Sequence, residues 1–238
     1  MISMKAIKLV ESRDALRSIP DGKVLINTIN AHSYNTALKD EAFAEALQKG
    51  DYLVPDGMSI VKACSFLKAR SRPKERIAGW DLFVFEMCRL NEKGGKCFFL
   101  GSNENVLARI KDRCARDFPD ITVDTYSPPY KPEFSEEDNK AIVDAINAAD
   151  PDLLWVGMTA PKQEKWAYSH WPELNIHCHC GTIGAVFDFY AGTSKRAPEW
   201  MQKAGLEWLH RLASNPRRMW RRYIIGNFKF IINVLREL

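Results

Sequence analysis

Asp152–Met158 reads DLLWVGM, and with Lys96–Gly101 (KCFFLG) and Lys23–Asn30 (KVLINTIN) it decides the fold. Each run is short, apolar at nearly every position and rich in β-branched or aromatic residues. A strand with one wet face alternates polar with apolar residues, whereas a strand covered on both faces does not. Asp51–Pro55 (DYLVP), Ile121–Tyr126 and Asn175–Cys180 are runs of the same kind. Helical patterns are expected between them, over 35–49, 57–69, 80–93, 103–117, 135–149 and 162–170, with another near 184–191. Buried strands alternating with helices predict an α/β fold, a mostly parallel Rossmann-like sheet with helices on both faces.

The chain has 238 residues, 46% of them hydrophobic, which suits a globular protein and excludes a disordered one. The net charge of +4 is unevenly placed. Residues 196–238 carry nine Lys or Arg against three Glu, and residues 1–195 carry 25 basic against 27 acidic side chains. We therefore expect a catalytic core over 1–195 and a basic, aromatic-rich C-terminal appendage over 196–238. The six cysteines form no CxxC pair, and four lie in apolar stretches, so they read as reduced thiols in a cytoplasmic protein. No signal peptide is visible, and no run of 18 apolar residues predicts a spanning helix.

In an open parallel sheet, ligands bind beyond the carboxyl ends of the strands. That rule selects Thr28 and Asn30, Asp56 and Gly57, Gly101 and Ser102, Tyr130, the Pro161–Glu164 segment with Lys162, Gln163 and Glu164, and Gly181–Gly184 after the sixth run. Asp56 precedes a helix, so it reads equally as an N-cap and as a carboxylate able to act as general base. Arg76–Asp81 (RIAGWD) also precedes a helix. Asp81 is a plausible cap there, and Gly79 permits close approach of a phosphate or sugar. Gly101-Ser102-Asn103 lacks the rest of the dinucleotide fingerprint, which argues against an NAD-type cofactor. His177–Cys180 (HCHC) sets its His and Cys on opposite faces of a strand, too few converging ligands for zinc, so no metal site is expected. Asp150-Pro151-Asp152 spells DxD but precedes its strand and reads as a turn.

In the appendage, Arg217, Arg218, Arg221 and Arg222 lie within two helical turns. Trp220, Ile224, Phe228, Ile231 and Leu235 recur at helical spacing and define one apolar face. A basic amphipathic helix of this kind suits an anionic membrane surface. The alternative is a helix docked on its own core or on another subunit, which would make the chain a homo-oligomer. Nucleic acid is disfavoured as a partner, because the aromatics line the apolar face and do not alternate with the charges.

Several of these stretches also fall in a recognisable series. DG at 56–57, RIAGWD at 76–81, GS at 101–102, PKQE at 161–164, GAVFDFYAG at 184–192, RAP at 196–198, GLEWLHRL at 205–212 and PRRMWRRY at 216–223 resemble, in order and spacing, the WecG/TagA/CpsF glycosyltransferases. The resemblance runs from about Lys23 to Tyr223. It implies an inverting, membrane-associated enzyme that moves a sugar, N-acetylmannosamine or its uronic acid, from a UDP-sugar to a polyprenyl-diphosphate-linked N-acetylglucosamine. Such products feed wall teichoic acid, enterobacterial common antigen or capsule. The implied location is the inner face of the cytoplasmic membrane, with the UDP-sugar as a substrate and no cofactor. Trp80 stands where the family usually has a small Ser or Thr, and HCHC replaces a more aliphatic strand.

The resemblance makes Asp56 the expected base, with Thr28 or Asn30 orienting acceptor or sugar. Arginines are expected to stabilise the UDP leaving group, drawn from Arg211, Arg218, Arg221 and Arg222, with Arg76 and Arg196 expected to bind substrate or nucleotide. Lys162 and Gln163 are expected at sugar or phosphate, Glu164 beside them, and Tyr130 and Asp188 at the uracil. The rival from another class is a non-enzymatic membrane adaptor with a nucleotide-binding α/β domain.

Overall fold

The computed structural model describes residues 2–238, apart from the side chains of Lys203 and Arg218. Six strands form one parallel sheet: β1 (Val24–Ile29), β2 (Tyr52–Pro55), β3 (Gly95–Gly101), β4 (Ile121–Tyr126), β5 (Leu153–Gly157) and β6 (His179–Thr182). Their order across the sheet is β2-β1-β6-β5-β3-β4. The α/β expectation therefore holds. The helices are α1 (Ala31–Ala37), α2 (Glu41–Lys49), α3 (Met58–Phe66), α4 (Gly79–Lys93), α5 (Glu104–Asp117), α6 (Glu136–Ala149), α7 (Lys162–Ser169) and α8 (Val186–Tyr190). Four more complete the chain, α9 (Glu199–Lys203), α10 (Glu207–Ser214), α11 (Pro216–Trp220) and α12 (Gly226–Leu235), with a π-helical turn over Arg221–Ile225 between the last two.

Two boundaries differ from expectation. The helix expected over 35–49 is two helices: the first ends at its C-cap Leu38, and Asp40 caps the second, its Oδ1 accepting from Phe43 N at 3.0 Å. A short polar side chain bonds the backbone at a helix start better than it fits a helix interior. The last strand begins at His179, later than the expected Asn175, and includes Gly181 and Thr182. Gly181 lies within it beside Trp155: a Cβ there would stand 2.2 Å from the indole Cζ3, so the strand must be bare where the ring crosses it.

The chain divides into two compact units. One comprises Ile19–Asn27 and Gly79–Ser194 and holds most of the sheet. Its strands bury alternate residues on opposite faces. On one face Leu25, Phe98, Leu100, Leu154, Val156 and Cys180 pack with Ile142 and Ile146 of α6 and Trp166 of α7. On the other, Phe99 and Trp155 meet Phe83 of α4, and Phe99 also meets Phe187 of α8. The Trp155 indole N–H donates to Met87 Sδ at 3.4 Å. Both faces being covered is why these strands read as unbroken apolar runs.

The other unit comprises the chain up to Ser18, Thr28–Ala78 and Lys195–Leu238. Its core includes Met4, Ile29, Tyr34, Phe43, Ile60, Phe230 and Val234. Helix α12 thus contributes two buried side chains, and the Phe230 ring meets Tyr34 edge-on with centroids 5.7 Å apart. Beyond α12, Glu237 gathers donors from the start of the chain: Ser3 Oγ at 2.7 Å, Met4 N at 2.9 Å, Lys5 N at 3.1 Å, and the Tyr34 hydroxyl. The expected apolar face of the tail does not make this contact. Trp220, Ile224, Phe228, Ile231 and Leu235 are all exposed. All six cysteines are free thiols, five of them buried.

Candidate active site

In the unit that contains the tail, β1 ends at Ile29 and β2 at Pro55. Two backbone bonds tie the loops beyond these strand ends: Asp56 N donates to Ile29 O at 2.8 Å, and Ile77 N donates to Pro55 O at 3.0 Å. The first sets the Asp56–Gly57 turn beside the end of β1, where Thr28 and Asn30 lie. The second brings Arg76 next to it. The N-cap of α3 is Gly57, with no side-chain cap bond, so Asp56 is not a cap. Its carboxylate is half-buried outside the helix. Asp81 is not a cap either: it lies inside the first turn of α4. Asn30 is the side chain that does cap, its Oδ1 accepting from His32 N at 3.0 Å and Ser33 N at 3.1 Å.

Arg76 joins a cluster that sequence reasoning missed. Glu207, in the first turn of α10, pairs through Oε2 with Arg76 and through Oε1 with Arg196 Nε at 3.4 Å. The three side chains are only 14%, 21% and 15% exposed for Arg76, Arg196 and Glu207. The signal was in the sequence, since Glu207 sits in GLEWLHRL, but nothing there says which basic groups it meets. Arg222 lies near the first turn of α1: burial and then the Arg222 charge hold His32 below the usual imidazole value. Arg211 is half-buried and Arg221 exposed; the side chain of Arg218 lies outside the described residues.

In the other unit, Gly101 ends β3 with φ +120°, and a Cβ there would stand 2.5 Å from Gly157 O, so only glycine fits between the ends of β3 and β5. Ser102 comes next at φ +58°, and its carbonyl accepts from Ser127 Oγ. Gly79 is buried against Ile183 and Val186. Gln163 and Glu164 are 4% and 1% exposed. Gly184 N–H can only donate, so Gln163 turns Oε1 toward it at 3.1 Å and its amide N–H toward Glu164 Oε1 at 2.8 Å. Burial pushes Glu164 up to about 7, against the lowering effect of Gln163 and its own backbone bond. Its Oε2 is buried with no hydrogen-bond partner among the described residues.

The remaining expected residues spread out. Lys162 Nζ donates to Lys131 O at 2.5 Å and lies 3.4 Å over the Phe134 ring. Tyr130 is fully exposed on its loop. Asp188 is exposed, its Oδ1 accepting from Thr193 Oγ1 at 3.4 Å. Among the described residues no group of three or more His, Cys, Asp and Glu converges as a metal site, and no helix is long and apolar enough to cross a membrane.

Comparison with known proteins then decides the class. A profile described as the glycosyl transferase WecG/TagA/CpsF family matches residues 2–238. The chain belongs to the WecG/TagA/CpsF glycosyltransferase family. Two family relatives carry the name N-acetylglucosaminyldiphosphoundecaprenol N-acetyl-beta-D-mannosaminyltransferase. The one from Bacillus subtilis (strain 168) is 30% identical over 213 residues, 90% of this chain and 79% of the relative. The one from Bacillus spizizenii is 31% identical over 213 residues, 89% of this chain and 79% of the relative. The chain is thus a glycosyltransferase of this family.

Proposed function

We propose that this glycosyltransferase moves N-acetylmannosamine, or a close relative of it, from a UDP-sugar to a polyprenyl-diphosphate-linked N-acetylglucosamine, with inversion and without a metal. The observation that carries the reading is the Asp56–Gly57 turn. Asp56, half-buried, stands beyond the end of β2 and leaves the capping of α3 to Gly57, and the Ile77–Pro55 bond brings the backbone at Arg76 to the same turn. The names of the two Bacillus relatives supply the sugar and the acceptor.

An acceptor hydroxyl is a weak nucleophile at neutral pH, and Asp56 takes its proton as the new glycosidic bond forms. The C1–O bond to UDP breaks on the opposite face, and the diphosphate leaves with both electrons. Arg76 and Arg196 meet that charge; guanidinium pairs bidentately with phosphate oxygens and stays charged at any working pH. Thr28 orients the acceptor. The exposed Trp220, Ile224, Phe228, Ile231 and Leu235, among the tail arginines, rest on an anionic leaflet where the lipid-linked acceptor resides. The test is a panel of UDP-sugars against a lipid-linked N-acetylglucosamine analogue, with the product linkage determined. UDP-N-acetylmannosamine is expected to be used best and to give a β-linked product. Selective use of an unrelated sugar, or retention at C1, refutes the assignment.

A further inference from the structure

We propose that Glu207 is a positioning residue that holds Arg76 and Arg196 together as a receptor for the diphosphate of the UDP-sugar. This rests on the reading of the chain as UDP-sugar-dependent. The two arginines come from separate stretches, the loop before α4 and the segment before α9, and share one carboxylate, with one oxygen for each. Because one carboxylate pairs with both, it keeps the two guanidiniums close together. Left alone, two long cationic side chains repel and sample many rotamers, and that freedom would be lost again at every binding event.

The setting points to a ligand-facing role. A guanidinium has five N–H donors, and one carboxylate oxygen accepts one or two, so Arg76 retains donors for a further acceptor. Arg76 immediately precedes Ile77, whose N–H is bonded to Pro55 O next to Asp56. The turn that leads into α10 sits by the same place: Gly205, at φ +71°, packs so close to Met58 that a Cβ would stand 3.3 Å from Met58 Cγ. Met58 opens α3, directly after Asp56–Gly57. The segment that carries Arg76 and the turn that leads to Glu207 are thus both anchored beside the Asp56–Gly57 turn.

The experiment measures UDP and uridine affinities for the full chain and for Glu207→Gln. Uridine lacks the phosphates, so a receptor for diphosphate bears on UDP alone. E207Q is expected to weaken UDP about tenfold while leaving uridine unchanged. On an Arg76→Ala, Arg196→Ala background the same change is expected to cost nothing further, because Glu207 acts through those two side chains. Glu207→Asp keeps the charge and the helix but is one methylene too short to reach both arginines, and an intermediate loss is expected; it also serves if E207Q fails to fold. Equal losses for UDP and uridine would reduce Glu207 to a structural tie, and no loss for either would remove it from the site. If the unaltered chain binds UDP no tighter than uridine, the UDP-sugar reading itself falls, whatever Glu207 does.

Discussion

Asp56 and Asp81 show what a single residue reveals before its backbone is known. Both precede helices in the sequence pattern and both fit a cap, yet neither caps: α3 is capped by Gly57, and Asp81 lies within α4. Capping depends on which residue has extended φ and ψ at the boundary, and a one-residue shift moves the role. Asn30 is the converse, a residue expected at substrate that uses its carbonyl on His32 N and Ser33 N. With no helix end to cap, Asp56 is the natural place for a decisive substitution. Asp56→Asn keeps the size and removes the base, so transfer should fall by roughly 10²–10⁴-fold while UDP affinity changes little. Near-normal turnover in that variant would end the base assignment.

At the scale of elements, β1, β3 and β5 were legible because burial on both faces leaves a plain apolar run, whereas β4 has Thr122 exposed and carries polar residues. Helix faces were less so. The tail shows Trp220, Ile224, Phe228, Ile231 and Leu235 on one stripe, but the side chains that pack inward are Phe230 and Val234. Periodicity finds a stripe without saying whether protein or something else will cover it. Helix α12 is held further by Glu237, and that tie depends on pH. Burial alone would raise the Glu237 pKa, but the bonds from Tyr34, Met4 N, Ser3 and Lys5 N outweigh it and leave the carboxyl below its ordinary value of 4.5. A carboxyl whose pKa falls on folding stabilises the fold fully above its unfolded value, and that stabilisation fades as pH drops through the lower folded value. Glu237→Gln should therefore cost about 1–3 kcal/mol in urea titrations at pH 7. The gap from the unaltered chain should narrow toward pH 3. A gap independent of pH would mean that the charge is not what matters.

For the molecule as a whole, the structure changes how membrane attachment should be tested. Deleting the tail would strip Phe230 and Val234 from a core and remove Glu237 from the start of the chain, so loss of activity would say little about lipid. Phe228, Ile231 and Leu235 are 67%, 56% and 49% exposed and can be changed without touching that core. Replacing all three with Glu should cut co-sedimentation with anionic vesicles at least about tenfold. The thermal midpoint should move by less than about 2 °C. Undiminished vesicle binding would assign the exposed face to something other than lipid. The bond between Met4 and Glu237 also bears on how the protein is made. Synthesis runs from the amino end, and compact units fold as their residues emerge. Every residue of the sheet-rich unit precedes Lys195, so that unit can fold during translation. The unit with Asp56 draws Phe230 and Val234 into its core, so it cannot be complete until those residues have been added, after every residue of the sheet-rich unit.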